Sequence, residues 1–199
     1  MKFTIIGCGF IGSELAYHIA RQSHYTEASI ELNLMDFDEI EPKNLPFASV
    51  LTDHSYLWMN KAMVLKHLCT EVGKKENFTV SYSTDKFDRD IFNMNRYPGS
   101  IFIDCRDTSG SSNKTHYKLN FDGSVGKLIV SPKNSDCDGK GNYIFERSFP
   151  RMIIFLTQVF WFIVNNTDFS HKQFLLNVED KEDLPNLTCV YNSSVKENV

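Results

Sequence analysis

No two of the five cysteines are close enough in sequence to form a CxxC pair: Cys8, Cys69, Cys105, Cys137 and Cys189 are scattered and odd in number. That spacing argues against a disulfide framework and a structural zinc site, so a reducing, cytoplasmic setting is expected. Charge of one sign is also scarce. Lys and Arg total 21 against 25 Asp and Glu, a formal net charge of −4 with no block of like charges, so neither nucleic acid nor an anionic membrane is an expected partner. The six histidines form no HxxxH or Ser-His-Asp pattern.

A long apolar run is missing too. The most apolar stretch, MIIFLTQVFWFIV at residues 152–164, contains Gln158 and is shorter than the roughly 20 residues that span a bilayer. It reads as a buried or interface helix. At the N-terminus Lys2 leads straight into glycine-interrupted FTIIGCGFIG, which lacks the continuous apolar core of a secretory signal.

What is present is apolar material for one sizeable core: 42% hydrophobic and 13% aromatic residues in a chain of 199. A single domain over residues 1–180 is expected, followed by a polar tail over 181–199. Residues 2–6 (KFTII) form a short apolar run that ends in glycine, as a buried parallel strand does. GCGFIG follows, and then SELAYHIARQ, in which Ile11, Leu15 and Ile19 recur at helical spacing. SIELNLMD at 29–36 reads as the second strand, completing a βαβ unit.

Further along, residues 54–73 carry apolar positions at Leu57, Met63, Val64, Leu65 and Leu68 and stop at Gly73, which predicts a helix. Strands are expected at 77–83 and 99–105, with a short helical piece at 88–94 between them. Beyond 107, YKLNFDG, GKLIVSPK and KQFLLNVE read as neighbouring strands. The fold class expected is therefore α/β and Rossmann-like: a mostly parallel sheet with helices on both faces, finished by antiparallel strands in the C-terminal half.

Gly7, Gly9 and Gly12 satisfy GxGxxG between a strand and a helix, the context that gives the motif its meaning. The glycines permit a tight turn, close approach of a phosphate, and helix-on-strand packing, while the helix N-terminus presents free N–H groups to an anion. Asp36 ends the second strand, where an acid accepts hydrogen bonds from ribose hydroxyls. Together they predict a nucleotide site.

The stretch MDFDEIEPKNLPFASV at 35–50 is more specific. Gly7-Cys8-Gly9-Phe10-Ile11-Gly12, then Asp36-Phe37-Asp38-Glu39-Ile40-Glu41-Pro42-Lys43-Asn44-Leu45, then Lys61, then Asp104-Cys105-Arg106-Asp107 resemble, in order and spacing, the ThiF/MoeB/HesA superfamily, which is ubiquitin-activating-enzyme-like. The resemblance covers residues 1–130. It implies an ATP-binding site that adenylates the C-terminal carboxylate of a small ubiquitin-like protein or peptide with Mg²⁺. Carried over by position, the resemblance implies that Gly7, Gly9, Phe10, Ile11 and Gly12 hold the nucleotide, Asp36 the ribose, and Asp38 and Asn44 line the phosphates. Lys61 would stabilise the triphosphate and Asp107 would be the Mg²⁺-linked acid. A homodimer or heterodimer is also implied, since family members dimerise through apolar surfaces.

The chain departs from the family at one telling position. Relatives commonly continue Asn-Leu-x-Arg, with the arginine on the phosphates, whereas Asn44-Leu45-Pro46-Phe47 has phenylalanine there. Three readings follow: an ATP-dependent adenylating enzyme; a catalytically weakened nucleotide-binding module or inactive subunit; and an NAD-dependent oxidoreductase, disfavoured because Asn44 would have no role and no general acid is evident.

Overall fold

The computed structural model describes residues 1–47, 50–87 and 96–106, together with four strands at 117–122, 127–132, 172–177 and 188–191. The expected helices at 88–94 and 152–164, Asp107 and Cys137 lie outside the described residues. Strand β1 (Lys2–Ile6) is followed by helix α1 (Phe10–Gln22), β2 (Ile30–Met35), helix α2 (Lys61–Val72), β3 (Phe78–Ser83) and β4 (Ile101–Asp104). The remaining strands are β5 (Tyr117–Asp122), β6 (Lys127–Pro132), β7 (Lys172–Asn177) and β8 (Thr188–Tyr191). They make one sheet in the order β3-β2-β1-β4-β5-β6-β7-β8.

Pairing is parallel from β3 through β5 and antiparallel from β5 through β8. This is the expected change of direction in the C-terminal half. The segment expected as a polar tail contributes β8, which pairs Phe174 with Cys189.

Side chains alternate across the central strands, as a period of two requires. Phe3, Ile5, Leu32, Leu34 and Ile103 join Leu15, Ile19 and Leu65 in one cluster, so α1 and α2 pack on the same face. The intervening Ile6, Met35 and Phe102 turn to the other face, where Phe87 and Tyr97 cover them. Both described helices thus lie on one side, and the connection from β3 to β4 supplies apolar cover on the other. Two side-chain hydroxyl pairings also sit among the strands, the first of them buried. Thr4 Oγ1 lies 2.7 Å from Ser100 Oγ, and Ser81 Oγ donates to Asn33 Oδ1 at 2.6 Å.

Helix α2 begins later than apolar spacing suggested. Residues His54–Tyr56 form only a 3-10 turn, and Trp58 adopts φ 68°, a left-handed conformation no helix continues through. Asn60 then caps α2, its Oδ1 accepting from the Met63 N–H at 3.0 Å. Among the described residues, no helix is long and apolar enough to cross a membrane.

Candidate functional site: a cleft at the strand ends

The carboxyl ends of β1, β2 and β4 open on a cleft of about 500 Å³, where open parallel sheets bind ligands. Its rim begins at the glycine turn. Gly7 has φ +89°, accessible to glycine at little cost, and a side chain there would also strike Arg106. Gly12 packs α1 onto that turn so closely that a Cβ would sit 1.9 Å from the Gly7 carbonyl oxygen. At Gly9, by contrast, a Cβ would meet nothing within 4 Å. Gly9 is also the N-cap of α1 and offers no side-chain cap, so no capping side chain stands between the start of the helix and an anion.

Asp36 ties this turn to the next loop. Its Oδ2 accepts from the Cys8 N–H at 2.6 Å, and its Oδ1 accepts from the Asp38 N–H at 2.9 Å. The residue is only 8% exposed. Burial pushes its carboxyl above the usual aspartate range, although the two N–H bonds and nearby Lys61 pull the other way.

Lys61 is the first residue of α2, and its Nζ lies 3.5 Å from Asp38 Oδ2. The lysine side chain is 12% exposed against 50% for Asp38, so a partly buried cation faces the cleft through a more accessible acid. Asn44 lines the same space. Its Oδ1 accepts from the Glu41 N–H at 2.9 Å, which folds the loop back on itself in the 3-10 segment Pro42–Phe47. The expected residues Gly7, Gly9, Phe10, Ile11, Asp36, Asp38, Asn44 and Lys61 therefore meet in one cleft, with Gly12 packed beneath it.

Arg106 pairs with the acid at the end of its own strand. Its Nε and Nη2 donate to Asp104 Oδ1 and Oδ2 at 3.0 and 2.9 Å, and Asp104 is fully buried. The guanidinium also stacks over Phe87, 4.3 Å from the ring centroid. This arginine is locked in place by its own strand end.

Phe37, Asp85, Lys86 and Phe87 complete the cleft and had no assigned role in the sequence. Lys86 Nζ stands 5.3 Å from the Phe37 ring centroid. Two acid-flanked positions, Phe37 between Asp36 and Asp38, and Lys86 beside Asp85, were the available signals. Cys8 and Cys105 also reach the cleft. Burial, more than the nearby Asp36 charge, raises the Cys8 thiol well above its ordinary value, and burial pushes Cys69 up to about 12. Neither is a thiolate nucleophile at neutral pH. Among the described residues, no group of three or more His, Cys, Asp or Glu side chains is placed to hold a metal ion.

Solved structures share this fold. PaaA superposes with a TM-score of 0.64 at 18% identity, over 96% of this chain and 64% of that one. MccB from E. coli, in complex with MccA, gives 0.63 at 16%, over 98% and 65%. The E. coli tRNA N6-threonylcarbamoyladenosine dehydratase TcdA gives 0.51 at 16%, over 65% and 57%. The chain has the ThiF/MoeB-type fold. It spans less than two thirds of the length of PaaA and MccB. No protein-family model matches the sequence, and no curated protein matches it. In this fold the glycine turn and Asp36 lie at the strand ends and Lys61 at the start of α2, around one cleft.

Proposed function

We propose that this chain binds ATP in the cleft and transfers AMP to the C-terminal carboxylate of a small ubiquitin-like protein or a peptide. The observation that carries the reading is the convergence of Lys61, paired to Asp38, with the open Gly9 end of α1. The residues fit the nucleotide. The uncapped helix N-terminus suits phosphate, buried Asp36 suits ribose hydroxyls, and about 500 Å³ is within the range of nucleotide-sized pockets. MccB has been solved with AMPCPP and with the peptide MccA, which supports a nucleotide and a peptide as the paired substrates here.

In the reaction, a carboxylate oxygen attacks the α-phosphorus, an acyl–phosphate bond forms, and the bond to the β-phosphate breaks to release pyrophosphate. Two anions approach each other, so positive charge near the phosphates lowers the barrier. Lys61 would supply it, with Asp38 holding the ammonium until the nucleotide enters. Mg²⁺ is bound through one or two carboxylates plus substrate phosphates, a pattern that needs no three-residue protein cluster. Asp107, directly after Arg106 in the sequence, is the acid assigned to it by resemblance, and Mg²⁺ would offset charge on the phosphates.

A dimer belongs to the same reading. So does a cytoplasmic setting, supported by the buried thiols Cys8 and Cys69, neither of which is in a disulfide. ATP–pyrophosphate exchange with C-terminal peptides tests the proposal; no exchange with any peptide, despite ATP binding, sinks it.

That outcome would favour the second reading, a nucleotide-binding module or inactive subunit. Phe47 in the place of the family arginine is the observation behind it.

A further inference from the structure

The loop that carries Asp36 and Asp38 and the helix that carries Lys61 are joined by one side chain. Asn60 Nδ2 donates to the Asp36 carbonyl oxygen at 2.9 Å and to the Asp38 carbonyl oxygen at 3.2 Å. Its Oδ1 meanwhile accepts from the Met63 N–H at 3.0 Å. All the heavy-atom polar ends of this one amide are therefore used, half on the loop and half on the helix.

The consequence is geometric. With the Asp36 and Asp38 carbonyls held to residue 60, the Lys61 N–H falls 2.9 Å from the Asp38 carbonyl, and the Lys61 ammonium falls beside the Asp38 carboxylate. A short antiparallel bridge between Glu39 and Asn60 runs through the same point. Serine, threonine or aspartate would cap α2 as well as asparagine does, but none has an amide N–H₂ to donate. Capping therefore explains only the Oδ1 half of the residue.

We propose that Asn60 is a positioning residue that sets the distance between the Asp36–Asp38 loop and the Lys61 ammonium. Its bearing on catalysis rests on the adenylation reading; its effect on the free protein does not.

Asn60→Ser and Asn60→Asp separate the two halves, because each keeps a cap and removes the amide N–H₂ that reaches both carbonyls. The aspartate variant also sets a carboxylate oxygen against two carbonyl oxygens. Amide hydrogen exchange in the free protein is expected to quicken about tenfold at Asp38 and Lys61, the loss of one or two net hydrogen bonds, while Met63 stays protected. ATP affinity is expected to fall by a similar factor, more in Asn60→Asp than in Asn60→Ser, with the thermal midpoint nearly unchanged in the latter. Unchanged exchange at Asp38 and Lys61 in both variants overturns the proposal. So does loss of protection throughout α2, which would reduce Asn60 to a helix cap. Failure of the unmodified protein to bind ATP would instead defeat the adenylation reading, and the exchange rates would still decide whether Asn60 holds the loop.

Discussion

The Lys61 ammonium lies 3.5 Å from the Asp38 carboxylate, yet the two side chains differ fourfold in exposure, at 12% and 50%. A buried-side cation paired to an accessible acid can exchange its partner for an incoming phosphate without losing charge compensation. Lys61→Ala is therefore expected to lower pyrophosphate exchange about 10²- to 10³-fold, the usual cost of removing one charged transition-state contact. Stability should change little by comparison, since the ion pair is half open to water. Exchange assays beside thermal melts check both halves.

Gly9 and Gly12 should respond in opposite ways. Gly9→Ser places its side chain in open space and adds a preferred N-cap, so the protein should stay folded while ATP binding weakens at the crowded helix end. Gly12→Ala drives a methyl group into the Gly7 carbonyl and should cost about 1–3 kcal/mol as overpacking. Calorimetric titration with ATP, set against chemical denaturation, distinguishes a binding defect from a folding defect.

Much of this site was legible because it is local. A strand, a glycine turn, a helix and a strand-end acid fall within Lys2–Asp36 and follow short-range rules, so Gly7, Gly9, Gly12 and Asp36 could be placed by spacing. Asp38 and Lys61 came from resemblance. What was not legible is tertiary. Asn60 had no assigned role, and its bonds to carbonyls 24 and 22 residues earlier have no signature in spacing. The start of α2 was misplaced because Leu57 fits a helical period while Trp58, with φ 68°, breaks it. Asp104 was named only as part of a motif, and its burial depends on the neighbouring strand β1 and on Arg106.

Phe47→Arg tests the departure from the family. If the missing cation is what limits catalysis, the variant should raise pyrophosphate exchange by about 10²-fold, equal to roughly 3 kcal/mol of transition-state stabilisation. No gain in a protein that already binds ATP would favour the nucleotide-binding module.

Arg106 and Asp104 make a testable structural unit. Arg106→Leu removes the bidentate partner of a carboxylate with no exposed surface. Breaking a buried pair from one side typically costs about 3–5 kcal/mol. The loss should appear in denaturant midpoints.

Glu14 sets a second pH dependence, independent of the cleft. It is 8% exposed on α1, and burial raises its carboxyl from 4.5 to about 7, despite the opposing charge of Arg21. Between those values the folded protein binds more protons than the unfolded chain, so its contribution to stability is full below about 4.5 and is lost as pH rises through about 7. Glu14→Gln keeps the shape and removes the titration. The variant should exceed the unmodified protein by about 1–3 kcal/mol at pH 8 and match it at pH 4. His18, one turn further on, is lowered to about 4 by burial and weakens the fold in acid, but it is common to both proteins and cancels in the difference. Urea melts of the pair at the two pH values measure the effect; a difference that stays constant with pH would mean that Glu14 does not titrate in the folded state.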